Sequence, residues 1–215
     1  KDAKAEELPA DASIVQAAAA AIARLNRKHP NVFYLFQRRR QWNEAEGVFM
    51  GWERKRGKLV EFVERLQGKE DTSFTTVTGD VSWLSRVRYV ITLDADTQLP
   101  IGSAHRMIGT MHLPYNRPRL NQKRTRIVEG YGVLQPRIGV SHEASLKSRW
   151  TYLRSREPGI DPYAFAISDP YQDGLGEGIF TGKGIFDVQA FASVLCDRIP
   201  ENRVLSHDLL EGGFL

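Results

Sequence analysis

The spacing of apolar residues predicts two helices in the first third of the chain. The first follows a cap at Asp11 or Ser13, ends at His29-Pro30, and repeats its apolar positions at Ile14, Ala18, Ala21, Ile22 and Leu25. The second covers Trp52–Leu66, and its inward face consists of Leu59, Phe62, Val63 and Leu66. Gly57 lies inside this second helix, where glycine costs about 1 kcal/mol relative to alanine. Such a glycine indicates close approach of its backbone to another element or to a ligand.

Apolar runs separated by turn residues predict alternating strands and helices in the rest of the chain. The run Val87–Leu93 is typical of a strand buried on both faces of a mostly parallel sheet. A helix is predicted from Pro100 onward, and a strand interrupted by glycines is predicted over Ile127–Val140. After a loop over residues 157–178, we expect a strand at Ile179–Thr181, a glycine turn, and a helix through Phe186, Val188, Phe191 and Val194. This order predicts an α/β fold around a mixed, mostly parallel sheet flanked by helices.

Composition narrows the class of protein only a little. A chain of 215 residues with 41% hydrophobic content suits one globular core, which we place at residues 31–215 behind an N-terminal tail and helix at 1–30. The absence of an apolar run of about 18 residues predicts a soluble chain, and its two ends suggest a fragment of a longer protein. The single Cys196 excludes an internal disulfide. A net charge of +4 suits a sugar nucleotide, a nucleic acid or an anionic membrane equally well.

Two carboxylates follow the apolar strand Val87–Leu93. Asp94 and Asp96 stand where ligands bind in open α/β sheets, just beyond the carboxyl end of a strand. Side chains two apart in an extended segment point to the same face, so both can converge on one cation. Carboxylate oxygens suit magnesium or manganese, which in turn can hold a diphosphate. The pattern therefore predicts a metal site at Asp94 and Asp96.

Further candidate residues lie downstream of this pair. Asp208 is a candidate general base for deprotonating a sugar hydroxyl, and the adjacent His207 is either a metal ligand or a bystander. The glycine-rich stretch 176–184 resembles a phosphate-cradling loop in which Lys183 supplies positive charge, although its spacing is not that of a Walker A motif.

Two other functions fit parts of the same sequence. An apolar strand followed by Asp-x-Asp-x-Thr also resembles the haloacid-dehalogenase phosphotransferases, in which Asp94 would be the nucleophile and Asp96 the acid and base. The basic residues Arg38–Arg40, Lys123-Arg124 and Arg126, with aromatic neighbours, fit a nucleic-acid-binding module without catalysis.

Taken together, the motifs resemble the glycosyltransferase domain of bacterial cyclic β-1,2-glucan synthases, relatives of processive synthases such as cellulose synthase. The resemblance covers most of the chain beyond residue 30, in the blocks Gly51–Leu59, Tyr89–Pro100, Glu129–Arg137, Gly159–Tyr163, Tyr171–Asp187 and Pro200–Gly212. It implies a GT-A-like, Rossmann-like fold, an inverting transfer from UDP-glucose to a growing β-1,2-glucan, and a divalent metal. It also implies a parent protein that is embedded in the bacterial inner membrane, with this part on the cytoplasmic face, and no nucleic-acid partner.

The resemblance also implies roles for individual residues. Asp96 matches the direct metal ligand and Asp94 the partner of the nucleotide, whereas Asp208 matches the general base. Lys55 and Gly57 match substrate-binding positions at the donor, and Gly182 and Lys183 match positions along the acceptor path. Gln135 and Arg137, in the block Glu129–Arg137, match further substrate-binding positions. Ser206-His207 replaces the Thr-Glu that precedes the base in the wider family. Because no nucleotide-binding strand precedes residue 11, we expect the chain alone to bind donor poorly and not to turn over.

Overall fold

The computed structural model describes residues 2–139, 141–154, 174–176, 180–196, 198–204 and 208–215. The chain divides into two compact units, one of Lys1–Arg88 with Phe191–Leu205 and the other of Tyr89–Ala190 with Ser206–Leu215. The predicted loop 157–178, apart from residues 174–176, lies outside the described residues, and so does His207.

Small antiparallel sheets and two helices make up residues 2–88 of the first unit. Its elements are α1 (Asp11–Lys28), β1 (Leu35–Arg38), β2 (Gln41–Asn43), β3 (Val48–Met50), α2 (Arg54–Leu66), β4 (Phe74–Thr78) and a 3-10 turn at Leu84–Arg86. Strand β1 pairs with β4, and β2 pairs with β3. Helix α1 contacts both strands of the β1–β4 sheet.

The predicted inward face of α2 is confirmed. Leu59, Val63 and Leu66 are buried, and Phe62 meets Phe36 of β1 edge to face at 5.3 Å between ring centroids. Aromatic pairs in this geometry contribute about 0.5–1.5 kcal/mol beyond the area they bury. The helical period was sufficient to predict these inward positions, although Arg56, Val60 and Glu61 of α2 are buried as well.

The cap predicted for α1 is wrong at its side chain. The helix begins at Asp11, but its N-cap is Ala10, which makes no side-chain capping bond. The Asp11 carboxylate instead accepts from the Leu8 backbone N–H at 2.8 Å and pairs with Arg40. A long-range partner has therefore taken the carboxylate that local spacing assigned to the helix end.

A three-stranded sheet forms the centre of the second unit. The elements of this unit are β5 (Tyr89–Thr92), α3 (Ser103–His112), a 3-10 turn at Pro114–Asn116, β6 (Arg119–Leu120), β7 (Ile127–Glu129), β8 (Val133–Leu134), α4 (His142–Ser145), α5 (Arg149–Arg154), β9 (Gly184–Asp187), the start of α6 (Val188–Leu195) and α7 (Asp208–Phe214). From Phe191 onward, the residues of α6 belong to the first unit. Strand order is β5-β9-β8, and β6 and β7 form a separate hairpin. Met107 and Met111 of α3 pack on Ile185 of β9.

The predicted GT-A-like, Rossmann-like fold with a mostly parallel sheet is wrong for this structure. In the part of the chain that is described, every strand pair is antiparallel. Strand β5 was expected to be buried on both faces, yet Tyr89, Val90 and Ile91 are only half-buried, and β5 pairs with β9 alone. The continuous apolar run therefore predicted neither the burial of this strand nor the direction of its partner.

Three predicted boundaries in the second unit are also corrected. The long strand predicted over Ile127–Val140 is broken into the short strands β7 and β8. The helix expected from Pro100 begins at Ser103. Phe186, expected in a helix, lies in the fully buried strand β9, and the helix begins only at Val188. Asp187 sets that boundary, since its Oδ1 accepts from the backbone N–H groups of the first helical turn at 3.0 and 3.1 Å.

Within the described part of the chain, no helix is both long enough and apolar enough to cross a lipid bilayer.

Candidate functional site

Several predicted site residues meet at one end of the three-stranded sheet. Antiparallel pairing brings the last residue of β5, Thr92, opposite Gly184, the first residue of β9, and places Leu134 of β8 opposite Ile185. The carboxyl ends of β5 and β8 therefore flank the amino end of β9. Asp94, Gln135 and Lys183 each lie just beyond these strand ends, although the strands do not run in parallel.

An ion pair joins Asp94 and Lys183 at this end of the sheet. The Lys183 Nζ lies 2.8 Å from Oδ2 of Asp94, and the side chains are 19% and 33% exposed, respectively. Partial exposure keeps the net stabilisation small, within about 1 kcal/mol. The contact therefore bears mainly on the chemistry of Asp94, because an ammonium already stands against one of its carboxylate oxygens.

A second set of hydrogen bonds holds Lys183 in place. Its ammonium donates to the backbone carbonyl of Thr181 at 3.2 Å. Thr181 in turn donates to Oε1 of Gln135 from its backbone N–H at 2.6 Å and from its hydroxyl at 2.9 Å. Gln135 thus fixes the segment that carries Lys183 through two hydrogen bonds to Thr181. Thr181 was missed as a site residue, and a hydroxyl beside the Gly182-Lys183 dipeptide was the signal that could have found it.

Asp96 is arranged differently from the sequence-based expectation. Strand β5 ends at Thr92, and residues 94–97 form a turn in which the Thr97 N–H donates to the Asp94 carbonyl at 3.0 Å. The alternation of an extended strand therefore does not reach Asp96, and the reason given for its pointing the same way as Asp94 is wrong. Asp96 is exposed on this turn, whereas Asp94 is half-buried.

Asp94 and Asp96 are the carboxylates that were predicted to hold a divalent cation. Among the described residues, no three or more His, Cys, Asp or Glu side chains form a cluster that could hold a metal ion. Magnesium commonly binds through one or two carboxylates, several waters and the substrate phosphates. Asp94 and Asp96 supply the two carboxylates that such a site uses, and the metal site itself remains a prediction.

The remaining predicted residues of the second unit are Gly182, Arg137 and Asp208. Gly182 is buried and has a φ of +74°, which explains a glycine in the turn before β9. Arg137 is exposed in the segment after β8. Asp208 is the first residue of α7 and is half-buried. Their assigned roles in binding and catalysis stay predictions.

Lys55 and Gly57, the predicted donor residues, belong to the first unit. A Cβ at Gly57 would lie 2.0 Å from the Trp52 backbone oxygen and 2.7 Å from a Trp52 ring carbon. The close approach that its position in a helix indicated is therefore made by the Trp52 residue of the same segment. Packing is sufficient to explain this glycine, and a role at the donor remains a prediction, as it does for the half-buried Lys55.

Two arginines of the basic run have structural partners. Arg38 pairs with Glu61 at 2.8 Å, with both side chains about nine-tenths buried, and also donates to the Trp52 carbonyl at 3.0 Å. Arg40 pairs with Asp11, and this hydrogen bond lowers the Asp11 pKa to about 2 and raises the Arg40 pKa. Arg38 and Arg40 are thus engaged within the first unit, which weakens the case for a nucleic-acid-binding module.

Comparison with known proteins identifies the chain as homologous to part of a glucan-synthesising enzyme. It is 46% identical over 218 residues to the cyclic beta-(1,2)-glucan synthase NdvB of Rhizobium meliloti (strain 1021). The match covers 99% of this chain and 8% of that relative, so the chain spans a small segment of a much longer enzyme. No protein-family model matches the chain. The sequence-based resemblance to cyclic β-1,2-glucan synthases is therefore confirmed for this segment as a whole, and the match does not assign the segment to a particular domain.

Proposed function

We propose that this chain forms part of the glycosyltransferase core of a cyclic β-1,2-glucan synthase, and that the complete core transfers glucose from UDP-glucose to a growing β-1,2-glucan. The observation that carries the proposal is the meeting of Asp94, Gln135 and Lys183 at one end of the sheet. Each belongs to a different motif of the glucan-synthase resemblance, and the homology to NdvB extends through all of these motifs. The homology also favours this function over the phosphotransferase alternative.

In the proposed reaction, Asp208 acts as the general base. Its carboxylate takes the proton from the attacking hydroxyl of the acceptor sugar, and that oxygen bonds to the anomeric carbon of glucose. The bond from the anomeric carbon to the diphosphate breaks on the opposite face, which inverts the configuration and releases UDP. Gln135 and Gly182 shape the segment that carries Lys183, and Arg137 supplies a further exposed cation for the anionic donor.

Asp94 and Asp96 would hold magnesium or manganese, which when bound neutralises negative charge on the diphosphate. In the parent enzyme, we place this segment on the cytoplasmic face of the inner membrane, where nucleotide sugars are available.

Nucleotide binding is the direct test, because the chain spans only a small segment of its relative. The chain alone is expected to bind the nucleotide weakly, so we expect isothermal titration at high UDP concentration to give binding heat in the presence of Mn²⁺ and none in its absence. Asp96→Ala should abolish the heat. Asp71→Asn, which alters an exposed aspartate of the first unit, is the matched control and should retain it.

The same samples separate the alternatives. A phosphotransferase would acquire phosphate on Asp94 from a phosphoryl donor, which intact-mass analysis detects. A nucleic-acid-binding module would bind RNA or DNA with an affinity that falls steeply as salt rises. Either result, with no Mn²⁺-dependent UDP binding, would refute the glycosyltransferase proposal.

A further inference from the structure

We infer that Lys183 is the built-in counter-ion of Asp94 and that it competes with a divalent cation for this carboxylate. The inference deepens the proposed function and rests on it for the identity of the metal site. Its starting point is geometric: the Lys183 ammonium lies 2.8 Å from Asp94 Oδ2, on the carboxylate that the proposed function gives to the metal.

Competition follows from charge and distance. Magnesium binds carboxylate oxygens at about 2.0–2.1 Å, so a cation on Oδ2 would stand within a few ångströms of the ammonium. Two like charges at such separation repel by more than 1 kcal/mol even in bulk water, and by more at a half-buried site. A cation that takes Oδ2 must therefore displace Lys183.

The surrounding hydrogen bonds favour the lysine-bound state. Thr181 accepts from the Lys183 ammonium through its carbonyl, and Gln135 fixes Thr181 through two hydrogen bonds. Lys183 is therefore pre-positioned on Asp94 and does not merely reach it by chance from a flexible surface. This arrangement holds Asp94 neutralised until a divalent cation arrives, and it leaves the displaced ammonium available to the diphosphate that the cation accompanies.

The test measures Mn²⁺ affinity of the whole chain without nucleotide, by calorimetry and by electron paramagnetic resonance of unbound Mn²⁺. Lys183→Gln keeps a hydrogen-bond donor and removes the charge. Lys123→Gln removes the same charge from an exposed lysine in the β6–β7 turn of the same unit, and so controls for net charge. We expect Lys183→Gln to bind Mn²⁺ about twofold to fivefold more tightly than Lys123→Gln, the range that a partly exposed ion pair supplies.

A second background shows whether the effect acts through Asp94. In Asp94→Asn chains, the competing carboxylate is gone, so adding Lys183→Gln should no longer raise Mn²⁺ affinity. Equal affinities of the two lysine variants, weaker binding by Lys183→Gln, the same gain in the Asp94→Asn background, or no Mn²⁺ binding by either variant would each overturn the inference. Because no nucleotide is present, these outcomes are distinguishable from failure of the UDP titration.

Discussion

Replacing Gly57 by alanine tests whether packing alone requires a glycine inside helix α2. Judged by helix propensity, the change should stabilise the protein by about 1 kcal/mol, since alanine is the better helix former. The structure predicts the opposite sign. The new Cβ would lie 2.0 Å from the Trp52 carbonyl oxygen and 2.7 Å from its ring. Backbone oxygen cannot move aside by a change of rotamer, so the first turn of α2 must shift.

The magnitude follows from the two opposing contributions. Overpacking of a well-packed site costs about 1–3 kcal/mol, and a contact with backbone belongs at the upper end of that range. Subtracting the gain in propensity of about 1 kcal/mol leaves a net loss of about 2 kcal/mol. We expect that loss in the free energy of unfolding, measured by urea titration followed by far-ultraviolet circular dichroism.

Gly109 supplies the matched control. It lies inside helix α3, is exposed, and an added Cβ there would meet no atom within 4 Å. Gly109→Ala should therefore stabilise the protein by about 0.5–1 kcal/mol. The two variants make the same chemical change in the same type of element, and we expect them to differ by about 3 kcal/mol. The packing explanation is wrong if Gly57→Ala is as stable as the wild type or more stable.

Two further predictions concern ion pairs of the first unit, and a third concerns the hydrogen bonds of Gln135 at the candidate site. Because Asp11 has a folded pKa of about 2 against an ordinary value of about 3.9, its contribution to stability is complete above about pH 4 and is lost as the pH falls towards 2. Arg40→Met should flatten the pH dependence of unfolding in that window, and an unchanged slope would contradict this. Glu61→Leu leaves the Arg38 guanidinium buried without its carboxylate and should cost about 3 kcal/mol in urea unfolding. Adding Arg38→Met should cost less than the sum of the single changes, and full additivity would argue against a coupled pair. Gln135→Leu removes the acceptor that fixes the segment carrying Lys183, so Mn²⁺ affinity should rise, by less than in Lys183→Gln. An unchanged Mn²⁺ affinity would show that Gln135 does not hold Lys183 on Asp94.

Local sequence determined the features that depend on neighbouring residues. The inward face of α2, including Leu59 and Val63, was predictable because a helix repeats its contacts every 3.6 residues along one stripe. The position of Asp94 beyond the end of a strand was predictable because an apolar run ends there. The awkward Gly57 was also recognisable as a point of close approach, since glycine is unfavourable in a helix interior.

Tertiary structure decided which distant segments meet and in what direction. Strand β5 pairs antiparallel with β9, and no local pattern could show this, since the period of a strand is the same for either direction of its partner. The same long-range pairing brings Lys183 to Asp94. The carboxylate that the sequence predicted to bind a metal is therefore paired with a lysine. Likewise, Asp11 pairs with Arg40 and does not cap its own helix, because only the fold brings these two distant residues together.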